Sequence, residues 1–205
     1  MGSPDDNQPT VYVVDDDQSI RHAMGQLMQS VGLRYEIFSS ADEFLARHSN
    51  ERAGCLVLDI RMPGLGGLEL QERLNASGST LPIIFITGHG DVPMAVEAMQ
   101  KGAVDFIQKP FRDQELLDRI GDAMKADREL RSAKAEKASV QQRVDTLTKR
   151  EKEVFDLVVT GKQNKIIAYE LGVSQRTVEI HRARVMDKMQ AKSLADLVRM
   201  QLTTR

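Results

Sequence analysis

The chain has one cysteine in 205 residues. No disulfide can form within it, and this usage suits a reducing compartment. Cys55 lies inside the apolar run Cys55-Leu56-Val57-Leu58, a place for a buried thiol. Long apolar runs are also lacking: none approaches the roughly 20 residues of a membrane-spanning helix. No secretory signal is evident, so the default location is the cytoplasm, with no membrane partner. There is no internal repeat and no low-complexity block, which leaves ordinary globular domains.

What is present fits one large domain or two small ones. Hydrophobic content of 41% is that of a soluble protein. The net charge of -2 conceals an asymmetry. Residues 1–121 carry 10 Lys and Arg against 18 Asp and Glu; residues 122–144 carry 6 against 4; residues 145–205 carry 12 against 8. An acidic first part and a basic last part imply different partners, and a basic tail favours nucleic acid.

Residues 1–9 are polar and expected to be disordered. Strands are predicted at Thr10–Val14, Arg34–Phe38, the Cys55 run, Pro82–Thr87 and Ala103–Ile107, each a short β-branched or apolar stretch bounded by turn signals. Between them lie helical patterns: Ile20, Met24, Leu27 and Val31; Phe44 and Leu45 behind a Ser40–Glu43 capping-box spacing; Leu68, Leu70 and Leu74; Val92, Val96 and Met99 behind Asp91; Leu116, Leu117 and Ile120 behind Asp113. Five strands alternating with five helices predict an α/β, doubly wound, five-stranded parallel sheet over residues 1–121. Residues 122–144 are rich in Ala, Lys, Arg and Glu, which predicts a helical linker; a dimer-forming coiled coil is the alternative. Residues 145–205 read as all-α, with four helices opening near Thr148, Asn164, Ser174 and Ser193.

In an open parallel sheet, chemistry sits just past the carboxyl ends of the strands. Those ends carry Asp15 and Asp16, then Asp59, Thr87 and Lys109. Grouped carboxylates repel unless a cation lies among them. Lys109 is one such cation, and an oxygen-seeking Mg²⁺ suits the remainder. His89 follows on a loop, where a solvated histidine is the plainer reading, and no second catalytic base is evident. A dehalogenase-like phosphatase also uses a strand-end Asp with Mg²⁺, but needs a second Asp where Arg61 stands.

Residues 10–121 resemble the receiver domain of bacterial two-component response regulators, a flavodoxin-like fold. The resemblance rests on Val13-Val14-Asp15-Asp16-Asp17, Leu58-Asp59-Ile60-Arg61-Met62-Pro63-Gly64, Ile86-Thr87-Gly88 and Lys109-Pro110-Phe111. It implies that Asp59 is a phosphoacceptor rather than part of a turnover enzyme. Asp16, Asp59 and the Arg61 carbonyl would bind Mg²⁺, with Asp15 acting through water. It also implies phosphoryl stabilisation by Thr87 and Lys109, a Thr87–Phe106 switch and a cis Lys109-Pro110 bond. The partners implied are a sensor histidine kinase and, on phosphorylation, a second copy of the chain.

Leu147-Thr148-Lys149-Arg150-Glu151, Asn164-Lys165-Ile166-Ile167-Ala168 and Ser174-Gln175-Arg176-Thr177-Val178-Glu179 resemble the LuxR-type helix-turn-helix output of the NarL/FixJ class. Gly88-His89-Gly90-Asp91 points to the FixJ-like subgroup, which includes regulators of aromatic-hydrocarbon breakdown. The implied partners are double-stranded promoter DNA and RNA polymerase. In the third helix Val178, His181, Val185 and Met189 form a core stripe, while Glu179, Ile180 and Ala183 are placed to read bases. Ser174, Lys165, Arg176, Thr177, Arg182, Arg184, Lys188 and Lys192 are candidate DNA contacts, chiefly to phosphate. A helical tail that binds protein or RNA is the rival reading.

Overall fold

A computed structural model describes residues 8–88 and 92–204, the side chain of Val92 excepted. The expectations for residues 1–7 and for His89, Gly90 and Asp91 lie outside the described residues. The chain divides into two compact units, Met1–Leu130 and Arg131–Arg205.

The first unit is the expected parallel sheet. Its strands are β1 (Thr10–Val14), β2 (Tyr35–Phe38), β3 (Gly54–Asp59), β4 (Ile83–Thr87) and β5 (Asp105–Gln108), in the order β2-β1-β3-β4-β5. Helices α1 (Gln18–Ser30), α2 (Ala41–Arg47), α3 (Gly67–Ala76), α4 (Val92–Gln100) and the start of α5 (Asp113–Asp145) alternate with them. Side-chain alternation builds a core on each face. Val11, Val13, Cys55, Val57, Ile84, Ile86 and Ile107 pack with Met24 and Met28 of α1 and Leu116, Ile120 and Ala123 of α5. Tyr12, Val14, Phe38, Leu56, Leu58, Ile83 and Phe85 pack with Phe44 of α2, Leu70 and Leu74 of α3 and Ala98 of α4. Each Val, Leu, Ile, Phe or Met among them contributes about 1.5–3 kcal/mol when fully buried. Phe44 also meets Phe38 edge-on, at 5.3 Å between ring centroids.

Local signals place the helix ends. Ser40 Oγ accepts from Glu43 N at 3.2 Å, as its spacing predicts. The reciprocal half of the box differs: the Glu43 carboxylate accepts from Ser39 N and Ser39 Oγ, both at 2.9 Å. At the far end of the sheet, Asp127 of α5 accepts from Gly54 N at 2.9 Å. Gly54 has φ +132°, and a Cβ there would lie 1.8 Å from the Thr10 carbonyl oxygen, so only glycine lets β3 begin beside β1.

The stretch read as a linker, residues 122–144, is helical throughout as part of α5. Its two ends belong to different cores: Ala123 and Asp127 are buried in the first unit, Val140 and Val144 in the second. Residues 132–138 between them are exposed at every position. The second unit continues with α6 (Lys149–Val158), α7 (Asn164–Leu171), α8 (Gln175–Met189) and α9 (Leu194–Thr204). Val154, Phe155, Ile167, Val178, Val185, Met189 and Leu197 form its core. Thr148 and Glu151 complete a reciprocal capping box on α6, and Gly172 ends α7 in the left-handed conformation, φ 65°. Among the described residues no helix is long and apolar enough to cross a membrane.

Candidate functional site

Alternation along the strands explains which rim residues meet. Asp15 continues the Val11, Val13 series, Asp59 the Cys55, Val57 series and Lys109 follows Ile107, all on the α1/α5 side of the sheet. β1 and β3 are in register, Val14 beside Leu58, so the two aspartates emerge together. Lys109 Nζ donates to Asp15 Oδ2 at 3.0 Å and to Asp59 Oδ1 at 2.7 Å. Asp15 and Asp59 are only 1% and 7% exposed.

Backbone groups fix the remaining carboxylate oxygens. Asp17 N donates to Asp15 Oδ1 at 2.8 Å and Arg61 N to Asp59 Oδ2 at 2.9 Å. Burial pushes the Asp59 carboxyl above its ordinary value; bonding to Lys109 opposes the rise and the neighbouring Asp15 adds to it. For Lys109, burial works against the charge, but the hydrogen bonds to Asp59 and Asp15 prevail and hold its ammonium above the ordinary value. Lys109 is thereby a firm cation between two carboxylates. The Lys109-Pro110 bond is cis, as the resemblance implies.

The other rim residues are less tightly gathered. Asp16 is exposed and is not bonded to Lys109. Thr87 is buried and falls in the opposite alternation series, with Ile83 and Phe85. Its carbonyl accepts from Lys109 N at 2.8 Å. Phe106 pairs with Phe85 across β4 and β5 and is 39% exposed. Arg21, which the sequence reading passed over, donates from Nη1 to the Asp15 carbonyl at 2.7 Å. Nothing in the apolar spacing of α1 marks that contact, which is made to a backbone carbonyl six residues earlier.

Among the described residues no three Asp, Glu, His or Cys side chains gather closely enough to hold a metal. The Asp59 carboxylate with the exposed Asp16, next in sequence to Asp15, is still an oxygen set that suits Mg²⁺, which takes one or two carboxylates and keeps several waters.

The second unit presents a different surface. Ser174 Oγ caps α8, accepting from Thr177 N at 3.1 Å, and lies 2.8 Å from Thr177 Oγ1. Arg176, Glu179, Ile180, Ala183 and Arg184 are exposed along α8, and Lys165 along α7. Lys192, after α8, is exposed as well. Arg182 is half-buried, its Nη1 donating to Asn164 Oδ1 at 3.0 Å. Val178, Val185 and Met189 line the opposite, buried face. His181 lies between, with Nδ1 buried and without a hydrogen-bond partner among the described residues.

Lys188 departs from the phosphate-contact expectation. Its ammonium turns inward to Glu151 Oε2 at 2.7 Å and to the Thr146 carbonyl at 3.0 Å. The reason is electrostatic: Glu151 is buried, and a buried carboxylate needs a partner. Lys188, followed by the Thr148 backbone, brings the Glu151 carboxyl down to about 2. A carboxyl held below its unfolded value stabilises the fold above that value and loses the contribution as pH falls through the folded one. Acid titration of the second unit should therefore show stability falling between about pH 4.5 and 2. Lys188→Ala should cost about 1–3 kcal/mol at pH 7 and flatten that part of the profile. Urea midpoints across this pH range check both.

Comparison with known proteins agrees with this division. A family profile described as "Response regulator receiver domain" matches residues 11–121, and one described as "Bacterial regulatory proteins, luxR family" matches residues 145–201. Nodulation protein W of Bradyrhizobium diazoefficiens is 51% identical over 193 residues, 94% of this chain and 85% of that protein. Transcriptional regulatory protein FixJ of the same organism is 44% identical over 190 residues, 93% of each. A solved structure of the response regulator StyR superposes with a TM-score of 0.88 at 46% identity, covering 95% of this chain and 98% of that one.

Proposed function

The chain belongs to the response regulators of the NarL/FixJ class, with a receiver unit and a LuxR-type output unit, and on that premise we propose that phosphorylation of Asp59 by a partner histidine kinase switches its binding to promoter DNA. The observation that carries this reading is the Lys109 ammonium held between Asp15 and Asp59 at the sheet rim.

In the transfer, an Asp59 carboxylate oxygen forms the new P–O bond as the P–N bond to the kinase histidine breaks. The products are an acyl phosphate and a neutral imidazole whose leaving nitrogen takes its proton from solvent. Charge spreads over the phosphoryl oxygens in flight, so the protein's task is positioning and electrostatics. Lys109 supplies a fixed cation and Thr87 a hydroxyl. Asp16, Asp59 and the Arg61 carbonyl would hold Mg²⁺, with Asp15 acting through water. When bound, that ion neutralises phosphoryl charge as a Lewis acid. There is no turnover of a small substrate; the modified chain is itself the product, and it works in the cytoplasm.

The face formed by α4 and β5 is the proposed contact between two phosphorylated copies. Val96, Met99, Val104 and Phe106 are exposed there. Ala95 of α4 is 0% exposed and takes no part in the face. Thr87, drawn towards a phosphoryl group, leaves space that Phe106 fills, which changes the face. Pairing tethers two output units, and tethering adds about 10²–10⁴ in avidity without new base contacts.

On the output unit, Glu179 accepts from a cytosine amino group and Ile180 and Ala183 meet thymine methyls. Ser174, Lys165, Arg176, Thr177, Arg182, Arg184 and Lys192 contact the backbone, and RNA polymerase is the downstream partner. The subgroup resemblance extends the proposal to a promoter of aromatic-hydrocarbon breakdown. Footprinting of genomic DNA with and without acetyl phosphate tests the whole reading. Protection that is identical in both conditions would refute phosphorylation control, and no protection would refute DNA binding. Phe106→Ala should accept phosphate normally yet lose about tenfold or more of the phosphorylation-dependent affinity gain. Sedimentation and DNA titration at one fixed salt concentration measure this.

A further inference from the structure

Helices α3 and α4 are joined by polar contacts that the phosphoryl chemistry does not use. Gln71, 1% exposed, donates from Nε2 to the Ala98 carbonyl at 3.0 Å. One turn on, Asn75 Nδ2 donates to the Lys101 carbonyl at 2.9 Å. Glu72, between them, accepts from Lys101 Nζ at 2.6 Å, and the same ammonium reaches Glu97. Positions 71, 72 and 75 share one face of α3, and every contact falls on the last turn of α4 or just beyond it. The Ala98 carbonyl also accepts from Ala103 N at 3.0 Å and Lys101 N at 3.2 Å, so Gln71 adds a further bond to a turn that the backbone already closes, and α3 clasps the end of α4.

The same turn of α4 carries the proposed contact face. Ala95 and Ala98 are fully buried, which lets α4 lie close to its neighbours, while Val96 and Met99 point outward. Gln71 Oε1 is buried without a partner among the described residues. A buried network that is only partly satisfied specifies its arrangement less firmly than a complete one. Its resting arrangement is therefore open to competition from another position of α4.

We propose that Gln71 and Asn75 form a brake, holding α4 in its resting position and setting how much self-association occurs before phosphorylation. This rests on the α4–β5 contact proposed above. The physical basis is population shift: contacts made in one state and not the other bias the equilibrium by their differential strength. Deleting them favours whichever state does not make them.

The test uses the full chain carrying Gln71→Leu, and separately Asn75→Ala at an exposed position where folding is not at stake. Amide exchange of residues 97–103 and sedimentation equilibrium without phosphodonor are measured. Each variant should exchange about tenfold faster at the end of α4, and should self-associate at least about threefold more tightly than the parent. Faster exchange with unchanged association overturns the brake, because the contacts are then common to both states. Unchanged exchange also overturns it, because the contacts then do not hold α4. The parent chain with beryllofluoride and Mg²⁺ is the separate control: its failure to associate would sink the α4–β5 contact, leaving exchange to decide whether α3 restrains α4.

Discussion

Asp59→Asn is expected to abolish phosphorylation by acetyl phosphate and Mg²⁺, with no phosphoryl mass increment in the intact protein. The amide has no carboxylate oxygen to form the acyl phosphate. The substitution is close to isosteric, and Arg61 N can still donate to the amide oxygen in place of Asp59 Oδ2. Lys109 would keep Asp15 as its ion-pair partner. The fold should thus survive while the chemistry is lost, and with it the roughly 10²–10⁴ gain in DNA avidity proposed to come from pairing. A variant that still gained the phosphoryl mass would move the acceptor to another residue, Asp15 and the exposed Asp16 being the nearby carboxylates in sequence order along the rim.

Gly67→Ala is expected to damage stability and chemistry together. Gly67 opens α3, and its amide donates to the Ile60 carbonyl at 3.0 Å. A Cβ there would lie 2.4 Å from the Asp59 carbonyl oxygen, 3.0 Å from Ile60 Cα and 3.1 Å from the Phe85 ring. The first two neighbours are backbone, which cannot rotate away. Overpacking of this kind costs about 1–3 kcal/mol, and backbone against backbone belongs at or above the upper end. The strain falls on the residue that carries the proposed phosphoacceptor carboxylate, so phosphorylation should slow as well. Urea unfolding and the acetyl phosphate reaction measure the two effects. An unchanged midpoint would show that α3 retreats from β3 without cost.

The rim was readable because its residues sit at strand ends. A short apolar run that stops at a charged or hydroxyl residue announces both the strand and its exit, so Asp15, Asp59, Thr87 and Lys109 were all visible. Helix caps were readable for a similar reason: Ser40, Thr148 and Ser174 act within three residues of themselves. Lys188 was placed on the wrong face because periodicity gives a helix two faces without saying what each face meets. A buried Glu151 drew Lys188 inward. No neighbour of Lys188 in sequence carries that information.

The sequence by itself determined the α/β alternation, the helical second part, the acidic rim and the outward face of α8 that carries Arg176, Glu179, Ile180 and Ala183, because each depends on local spacing or on groups brought to one place by a simple parallel sheet. Tertiary structure alone decided how the carboxylates are shared. β1 and β3 align in register, so one ammonium bonds both Asp15 and Asp59 while Asp16 remains exposed. It also decided which glycines are indispensable, since Gly54 and Gly67 are defined by backbone from elsewhere pressing on them. The clasp of Gln71 and Asn75 on α4 is of the same kind. Hydrogen bonds between residues 26 or 27 positions apart leave no periodic trace, and only the packing of two helices on one sheet brings their partners within reach.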